Sequence, residues 1–562
     1  MAELVRDRIS TLVAAAIKAA QDAGDLPSFE LPQVVVERAR QAEHGDYASP
    51  VCMQLPRLAR MAPRLIAEKV VAYVESVPYI EAVEIAGPGY INFRLDPGWL
   101  AEQVVEINRA GAAWGGVDIG HGERVQVEYV SANPTGPITV ASARNAVLGD
   151  GLANVLEAAG YDVEREYYVN DAGSQVRKFG ESVFARYAQA LGEDEPFPED
   201  GYQGDYIAEF GKEMAEKYGA KYLEAPRREA IQTLGQEGLD RMLESIRADL
   251  SGLGIEFDTW WHEKSFYETG LFDKVFKIFK DKGLIVERDD AIWLTSPDLD
   301  QDVVLIRSPE VIPVPEERPT YFASDTAYMW NKLVDRGFER AIYVWGADHH
   351  GDVPRMMAGA KALGLDPERI VIILYQLVNL NRGGVEVRMS KRAGEFVTLR
   401  ELQDETGPDP IRFFMLQRTA DSTVDFDLDL AVEQSDKNPV FYVQYAHARI
   451  ASILRHAGEM GFDPETPGDV SLLTHPSELN LVRKMLELND VIALAAAQLA
   501  PHHLTFYAKE LASTFHSFYR DCRVVDQENP ELTQARLGLA RAARIVLARA
   551  LGLLGVSTPE RM

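Results

Sequence analysis

The chain contains very little cysteine and no long apolar segment. Cys52 and Cys522 are the two cysteines among 562 residues, which excludes a disulfide framework and a zinc site built from cysteines. No apolar run approaches the roughly 20 residues that a membrane-spanning helix needs. The first residues carry acids and a helical apolar stripe, so they predict a folded helix rather than a signal peptide. These features predict a cytoplasmic protein.

Positive charge is also scarce. The chain has 58 Lys and Arg residues and 87 Asp and Glu residues, which gives a formal net charge of −29. A chain of this charge does not bind nucleic acid indiscriminately, because phosphates are repelled. Residues 441–562 nevertheless carry nearly equal numbers of acidic and basic side chains. This terminal part can therefore still present a local basic face.

The pattern of apolar residues predicts three domains, since a chain of this length exceeds one hydrophobic core. Residues 1–118 predict a small α+β domain, and residues 431–562 are helical in period throughout, which predicts a helical bundle. In residues 119–430 strand-like runs alternate with helices, which predicts a parallel sheet. An acidic stretch begins a predicted insertion at about 191–308. The strand-like runs are RVQVEYV, DVEREYYV, RAIYVWG and RIVIILYQLV.

The segment VSANPTGPITVASARNAVLGDG, residues 130–151, follows the first of these runs. It predicts a tight turn that holds Gly136 and Pro137, and then a helix. In a doubly wound sheet ligands bind at the carboxyl ends of the strands, and a helix N-terminus attracts anions. The segment is therefore a candidate phosphate site, with an ordinary strand-to-helix turn as the alternative.

A second segment, VEVRMSKRAGEFVTLREL, gathers three cations before a helix. Arg388, Lys391 and Arg392 lie in or beside a short loop, and Thr398 is a candidate N-cap for the helix that follows. Such a loop can bind polyphosphate, and a solvated basic loop is the alternative.

Together the two segments resemble the signatures of class I aminoacyl-tRNA synthetases. RMSKR is similar to their KMSKS loop, and ANPTGPITVAS stands in the place of their HIGH motif. The rest of the sequence also resembles arginyl-tRNA synthetase, along essentially the whole chain. The matching stretches are GDYASPV, GPGYINFRL, EYYVNDAGSQ, GYQGDYI, WGADHHGDVPRM, MSKRAGEFVTLRELQDE, DFDLDLA, YVQYAHARI and GVSTPERM.

The resemblance implies an α/β fold, namely a class I Rossmann-like parallel-sheet catalytic domain with an insertion. An N-terminal α+β tRNA-binding domain and a C-terminal all-helical anticodon-binding bundle flank it. The implied enzyme is a cytoplasmic, monomeric arginine–tRNA ligase that uses ATP with Mg²⁺ and has no structural metal. It forms arginyl-adenylate and passes the arginyl group to the 3′ end of tRNA(Arg).

The catalytic residues that the resemblance implies are Arg388 and Lys391 of the basic loop, with Thr139 and Ser142 at the two histidine positions of the HIGH motif. Thr139 and Ser142 can donate hydrogen bonds to phosphate but carry no charge. This departure leaves two alternatives open: a non-catalytic or weakly active paralogue that binds tRNA or arginine, and an enzyme that delivers arginine to another acceptor. The implied ATP-binding residues are Gly136, Pro137, Thr139, Ser142, Gly346, Asp348, Met389, Ser390 and Lys391.

The implied arginine site must hold a planar cation. A carboxylate can accept two parallel hydrogen bonds from a guanidinium, and the resemblance assigns that role to Asp325, with Tyr321 one helical turn earlier. On the sequence alone Asp325 is as readily a helix cap. Ser131, Asn133 and His349 complete the implied arginine set, and a metal site at the adjacent histidines is the alternative for His349.

The implied tRNA contacts lie in the two outer domains. Tyr90 and Asn92 are two residues apart, so on a strand they share one face and can contact a splayed base. In the C-terminal bundle the implied contacts are Tyr442, Tyr445, Arg449 and Met562, with core packing as the alternative for the two tyrosines.

Overall fold

The structure is a computed structural model that describes residues 4–39, 41–312, 318–387 and 397–562. Residues 388–396 include Arg388, Met389, Ser390, Lys391 and Arg392, so the predicted roles of these residues lie outside the described part of the chain. In the described residues no helix is long and apolar enough to cross a bilayer.

The N-terminal region is an antiparallel four-stranded sheet with helices against it. The strands stand in the order β1 (Glu37–Arg38), β2 (Tyr47–Ser49), β4 (Tyr90–Leu95) and β3 (Ile80–Ala86), so that β4 pairs with both β2 and β3. Apolar side chains of the first helix, such as Ile9, Val13 and Ile17, are fully buried in the core. The elements are α1 (Val5–Asp22), β1 (Glu37–Arg38), β2 (Tyr47–Ser49), α2 (Pro56–Ala59), α3 (Pro63–Val71), β3 (Ile80–Ala86), β4 (Tyr90–Leu95) and α4 (Pro97–Ala110).

The central region is built on a five-stranded sheet whose neighbouring strands are all parallel. In chain order, the first elements of this region are β5 (Arg124–Glu128), α5 (Val140–Ala158), β6 (Asp162–Val169), α6 (Ser174–Ala190), α7 (Asp205–Tyr218), α8 (Arg227–Gly252), β7 (Thr259–His262), α9 (Ser265–Glu268), α10 (Leu271–Asp281), β8 (Ile285–Arg288), β9 (Ala291–Leu294) and β10 (Val303–Ile306). The remaining elements are α11 (Tyr321–Trp330), β11 (Arg340–Gly346), α12 (Val353–Leu363), β12 (Ile370–Tyr375), β13 (Val378–Arg382), β14 (Val385–Glu386), α13 (Leu399–Thr406), α14 (Pro408–Met415), β15 (Val424–Asp427) and α15 (Leu428–Val432).

The strand order of this sheet is β12-β11-β5-β6-β7. The four runs predicted as parallel strands are β5, β6, β11 and β12, which confirms that prediction. Because the chain moves outward from β5 in one direction and from β11 in the other, the two adjacent strands form the switch point at which such sheets bind ligands.

The range predicted as an insertion, 191–308, also contains one strand of the central sheet. Its strand β7 pairs in parallel with β6 and forms the edge of the central sheet. Helices α7 and α8 pack on α6, and β8 to β10 form a separate antiparallel sheet. The sequence TWWH carries little strand signal of its own, because it is short, is aromatic rather than aliphatic, and pairs with a strand about 90 residues earlier.

The C-terminal region is a bundle of long helices, as its apolar period predicts. Its elements are α16 (Pro439–Glu459), α17 (Pro476–Ala497), α18 (His502–Asp521) and α19 (Pro530–Leu553). The bundle packs on the rest of the chain through polar contacts as well as apolar ones. Arg38 pairs with Asp490 at 3.1 Å, and the buried Arg412 pairs with Asp150 while donating to the carbonyl of Leu554 at 2.7 Å.

Candidate active site

The loop between β5 and α5 lies at the switch point and has a strained backbone. Val130 and Ser131 have φ values of +65° and +43°, in the left-handed region that a β-branched residue avoids. Asn145 stabilises this conformation, because its side-chain oxygen accepts from the Val130 N–H at 2.7 Å and its amide donates to the Val344 carbonyl at 2.9 Å. The side chain of one α5 residue thus joins the β5 loop to β11.

Two tyrosine hydroxyls hold the rest of this loop. Tyr167 donates to the Ala132 carbonyl at 2.8 Å, and Tyr206 donates to the Thr135 carbonyl at 2.7 Å. A Cβ on Gly136 would lie 3.3 Å from the Tyr206 hydroxyl, so a side chain there would press on the hydroxyl. Since Tyr206 belongs to α7, the inserted helices fix the loop at which phosphate is expected to bind.

The first turn of α5 carries the two residues at the HIGH histidine positions. Thr139 is the N-cap residue, and its side chain makes no capping hydrogen bond within the described chain. The Val140 N–H donates to the Val397 carbonyl at 3.2 Å, and the Leu399 N–H donates to the Ile138 carbonyl at 2.8 Å. The described end of the second motif therefore pairs directly with the first motif.

The predicted cap at the start of α13 is confirmed. Thr398 accepts from the Glu401 N–H at 3.1 Å, and the Glu401 carboxylate accepts in return from the Thr398 N–H at 2.8 Å. This reciprocal pair fixes where the helix begins after the basic loop.

Asp325 is not a helix cap, contrary to one reading of the sequence. The N-cap of α11 is Thr320, whose hydroxyl accepts from the Ala323 N–H at 3.3 Å. Asp325 lies in the second turn, where burial raises the pKa of its carboxyl to about 8, helped by the nearby charges of Glu128, Glu263 and Asp352. A carboxyl in this state is stabilised as the anion when a cation enters beside it.

The predicted arginine-binding residues are joined to this carboxylate cluster. Ser131 donates to Glu128 at 3.2 Å, and His349 lies 3.4 Å from the Asp352 carboxylate. These two contacts connect both sides of the switch point to the carboxylates that surround Asp325.

Asn133 and Tyr321 are connected to the same carboxylate cluster through the side-chain amide of Asn170. The side chain of Asn170 lies 3.2 Å from that of Asn133 and, with its amide turned to donate, 2.8 Å from a carboxylate oxygen of Glu263. Tyr321 hydrogen-bonds to the same amide. Ser324 also donates to Glu263 at 3.1 Å. Burial raises the pKa of Glu263 to about 7.

A buried ion pair beneath the cluster keeps Glu128 in place. The Lys332 ammonium contacts the Glu128 carboxylate and lies 4.0 Å and 3.9 Å from the ring centroids of Tyr328 and Tyr343. Lys332 is fully buried in a π-helical turn, Asn331–Asp335, that continues α11. Glu128, Glu263 and Lys332 are not among the site residues predicted from the sequence. Of the three, Lys332 alone stands out in the sequence, because it is a lysine within an apolar helical segment.

The residues predicted to contact ATP outside the two motifs follow β11. A Cβ on Gly346 would lie 2.3 Å from a carboxylate oxygen of Asp348, so a side chain there would require the Asp348 carboxylate to move. The Asp348 side chain is largely exposed at the mouth of the site. Among the described residues, no group of three or more His, Cys, Asp or Glu side chains is placed to hold a metal ion.

The predicted tRNA contacts differ in exposure. Tyr90 and Asn92 lie on one face of β4, but Tyr90 is 42% exposed and Asn92 only 5%. In the bundle, Tyr445, Arg449 and Met562 line a shared cavity of about 550 Å³. Tyr442 instead packs its ring edge-on against His516, with the ring centroids 5.3 Å apart.

Comparison with known proteins extends this description. Three family models match the chain: the arginyl tRNA synthetase N terminal domain over residues 7–95, the class I (R) tRNA synthetase catalytic domain over 105–413, and the DALR anticodon binding domain over 443–562. The arginine--tRNA ligase of Dehalococcoides mccartyi strain CBDB1 is 46% identical over 560 residues, 99% of each chain. That of Geobacillus kaustophilus is 46% identical over 551 residues, 97% of each chain.

The fold is shared with a solved relative. The Thermus thermophilus arginyl-tRNA synthetase matches with a TM-score of 0.75 at 23% identity, and the match covers 100% of each chain. The parallel sheet, the loop at its switch point and the matching family model define a class I aminoacyl-tRNA synthetase. The chain belongs to the arginyl-tRNA synthetase family, and its activity is that of an ATP-dependent arginine–tRNA ligase.

Proposed function

We propose that arginine is activated at the carboxyl ends of β5 and β11, between the Asp325 carboxylate cluster and the N-terminus of α5. The carboxylate cluster around Asp325 carries this placement, and burial together with the charges of three other carboxylates raises the pKa of Asp325 to about 8. A pocket so rich in buried carboxylate favours a planar cation such as guanidinium. The carboxylate end of the same arginine then extends toward the α5 N-terminus, where the phosphates of ATP bind.

In the first step a carboxylate oxygen of arginine attacks the α-phosphorus of ATP. The bond from that phosphorus to the oxygen that joins the α- and β-phosphates breaks, that oxygen leaves with pyrophosphate, and arginyl-adenylate forms. Catalysis of this step is positioning and electrostatic stabilisation. Ser131 and Asn133 hold the amino acid backbone, Tyr321 and Asp325 hold the guanidinium, and His349 adds a further arginine contact.

The phosphates are held by the α5 N-terminus and by the basic loop. Gly136 and Pro137 shape the turn that lets them approach, and Thr139 and Ser142 donate neutral hydrogen bonds. Lys391 and Arg388 supply the positive charge that the HIGH histidines would otherwise share, and Met389 and Ser390 complete the loop. Gly346 and Asp348 face the ribose of ATP. Magnesium accompanies ATP as the counter-ion of its phosphates.

In the second step a hydroxyl of the terminal ribose of tRNA attacks the carbonyl carbon of the adenylate, and AMP leaves. We infer that the tRNA(Arg) outer corner contacts β4 through Tyr90, and that Asn92 supports this strand from within. The anticodon contacts Tyr445, Arg449 and Met562, with Tyr442 beside them. The enzyme acts as a monomer in the cytoplasm.

The test is aminoacylation of total tRNA with each of the twenty amino acids, run beside ATP–pyrophosphate exchange with and without tRNA. We expect charging with arginine only, and its loss in Asp325→Asn. Asp240→Asn on the exposed face of α8 is the matched control and should charge normally. Charging by Asp325→Asn at the parent rate would remove the arginine pocket from this place.

A further inference from the structure

A second cavity, separate from the active site, lies where the C-terminal bundle meets the rest of the chain. Its volume is about 580 Å³, and its walls come from α16, α19, the residues after α19 and the turn that follows α4. His447 closes one side, because its ring nitrogen Nδ1 lies 2.9 Å from the Pro559 carbonyl. The charged residues that line the cavity are Arg541, Arg544, Arg549, Glu465 and Glu560.

Two of the three arginines are neutralised by the two glutamates. Arg541 contacts Glu465 at 2.6 Å and also donates to Asn108 at 2.7 Å, which ties α19 to α4. Arg544 contacts Glu560 at 2.6 Å and so helps to fix the C-terminal residues. These two cations therefore have structural partners, and the positive charge left over in the cavity is that of Arg549.

Arg549 is half-buried and lacks a counter-ion among the described residues. Its Nε is fully buried with no hydrogen-bond partner in the described chain. Burial lowers the pKa of its guanidinium, and the charge of Glu157 opposes this shift. Glu157 is already engaged by both terminal nitrogens of Arg165, at 2.6 and 2.9 Å.

A half-buried charge without a counter-ion costs stability, and the buried Nε of Arg549 has lost water without gaining a hydrogen bond in the described chain. In a cavity large enough for a ligand, the missing partner is an anion from outside. A guanidinium binds the oxygens of phosphate in a forked geometry, and Arg549 supplies the one positive charge left over among the charged residues that line the cavity. The cavity therefore has the chemistry of a phosphate site.

We propose that this cavity binds a phosphate group through Arg549. The phosphate comes either from the backbone of bound tRNA or from free phosphate or pyrophosphate, the second of which the reaction releases. The tRNA source rests on the proposed function, whereas the free-phosphate source does not.

The first test is thermal unfolding of the full chain and of Arg549→Gln. Without added anion the variant should unfold at the same temperature as the parent or higher, because an unpaired half-buried charge has been removed. A purely structural Arg549 would instead give a clear fall in unfolding temperature. Arg520→Gln is the control, since Arg520 is exposed on α18 and its ion-pair partner among the described residues is its neighbour Asp521.

The second test separates the two sources. Unfolding is repeated with phosphate or pyrophosphate at constant ionic strength, and a stabilisation seen in the parent but not in Arg549→Gln assigns the free anion. For tRNA, the KM for charging should rise about five- to tenfold in Arg549→Gln, and the slope of log KM against log salt should fall by about one. The rate at saturating tRNA should stay at the parent value.

Ala548→Glu is a second variant that keeps Arg549 but places a carboxylate in the cavity. It should abolish the same effects, because an internal anion then occupies the guanidinium. Parent-like KM, salt dependence and anion stabilisation in both variants would overturn the proposal. Loss of arginine activation itself would count against the proposed function instead, so the two failures are distinguishable.

Discussion

The raised pKa of Asp325 makes arginine binding depend on pH. With a pKa of about 8, roughly one-tenth of the free enzyme carries Asp325 as the anion at pH 7 and about one-hundredth at pH 6. If guanidinium binds only the anion, the measured Kd exceeds its limit by the inverse of that fraction. The Kd should therefore be about tenfold weaker at pH 7 than at its limit, and should weaken about tenfold more at pH 6.

The assay is calorimetric titration of arginine at pH 5.5 to 8.5 in pairs of buffers with different ionisation enthalpies. At pH 7 the heats should show about 0.9 proton released by Asp325 for each arginine bound. Glu263, whose pKa is raised to about 7, adds up to about half a proton if it ionises in the complex. Glu263→Gln removes this second contribution, and the proton release that remains should shift to lower pH, because the charge of Glu263 helps to raise the pKa of Asp325.

Asp325→Asn should remove most of the pH dependence and most of the affinity. Loss of one partner of a buried pair costs about 3–5 kcal/mol, so arginine use should fall by a few hundred-fold or more. The free variant should gain stability over the parent as pH rises from 4 to 8. The raised pKa means that the protonated carboxyl stabilises the parent at low pH, and this contribution is lost as pH rises through 8. A parent Kd that is flat from pH 5.5 to 8.5 would refute the reasoning.

Three further predictions concern the loop, the basic segment and the tRNA face. Tyr206→Phe removes a hydrogen bond worth about 1 kcal/mol and should raise the KM for ATP in pyrophosphate exchange about fivefold without changing arginine affinity. An unchanged KM would show that the loop between β5 and α5 keeps its conformation without this hydrogen bond. Lys391→Ala should slow adenylate formation by about 10²–10³-fold, measured by exchange, and near-normal rates would remove Lys391 from catalysis. Tyr90→Ala should weaken charging at low tRNA by about 1–3 kcal/mol. Tyr90→Phe, which keeps the ring, should charge like the parent, and equal losses in both variants would exclude stacking.

Local sequence signals predicted the elements that have strong local causes. The strands β5, β6, β11 and β12 are runs of β-branched and aromatic residues, and α17 and α19 repeat apolar residues at three- and four-residue spacing. Thr398 caps its helix because the capping box is itself a local pattern. These elements follow from residues within one turn or one strand of each other.

The rest depends on the tertiary structure. The sequence leaves a capping role open for Asp325, whereas in the structure Thr320 caps the helix that begins at Tyr321. Glu128 ends an apolar strand, and only the packing of the π-helical turn brings Lys332 to it. No local pattern reports that pairing, since the two residues lie about 200 positions apart. The electrostatics of the arginine pocket therefore had to come from the three-dimensional arrangement.

The replacement of both HIGH histidines gives the two substrates different responses to pH. Thr139 and Ser142 do not titrate near neutrality, and the backbone groups of the α5 N-terminus keep their partial charge at every pH. Lys391 and Arg388 stay charged through the same range. The affinity for ATP with saturating magnesium should therefore vary less than about threefold between pH 6 and 8.5, while arginine affinity changes by about two orders of magnitude. Thr139→His with Ser142→His is the matched variant, and it should acquire tighter ATP binding below about pH 6.5, where imidazole gains its charge. A steep pH dependence of ATP binding in the parent would show that a titrating group outside the two motifs holds the phosphates.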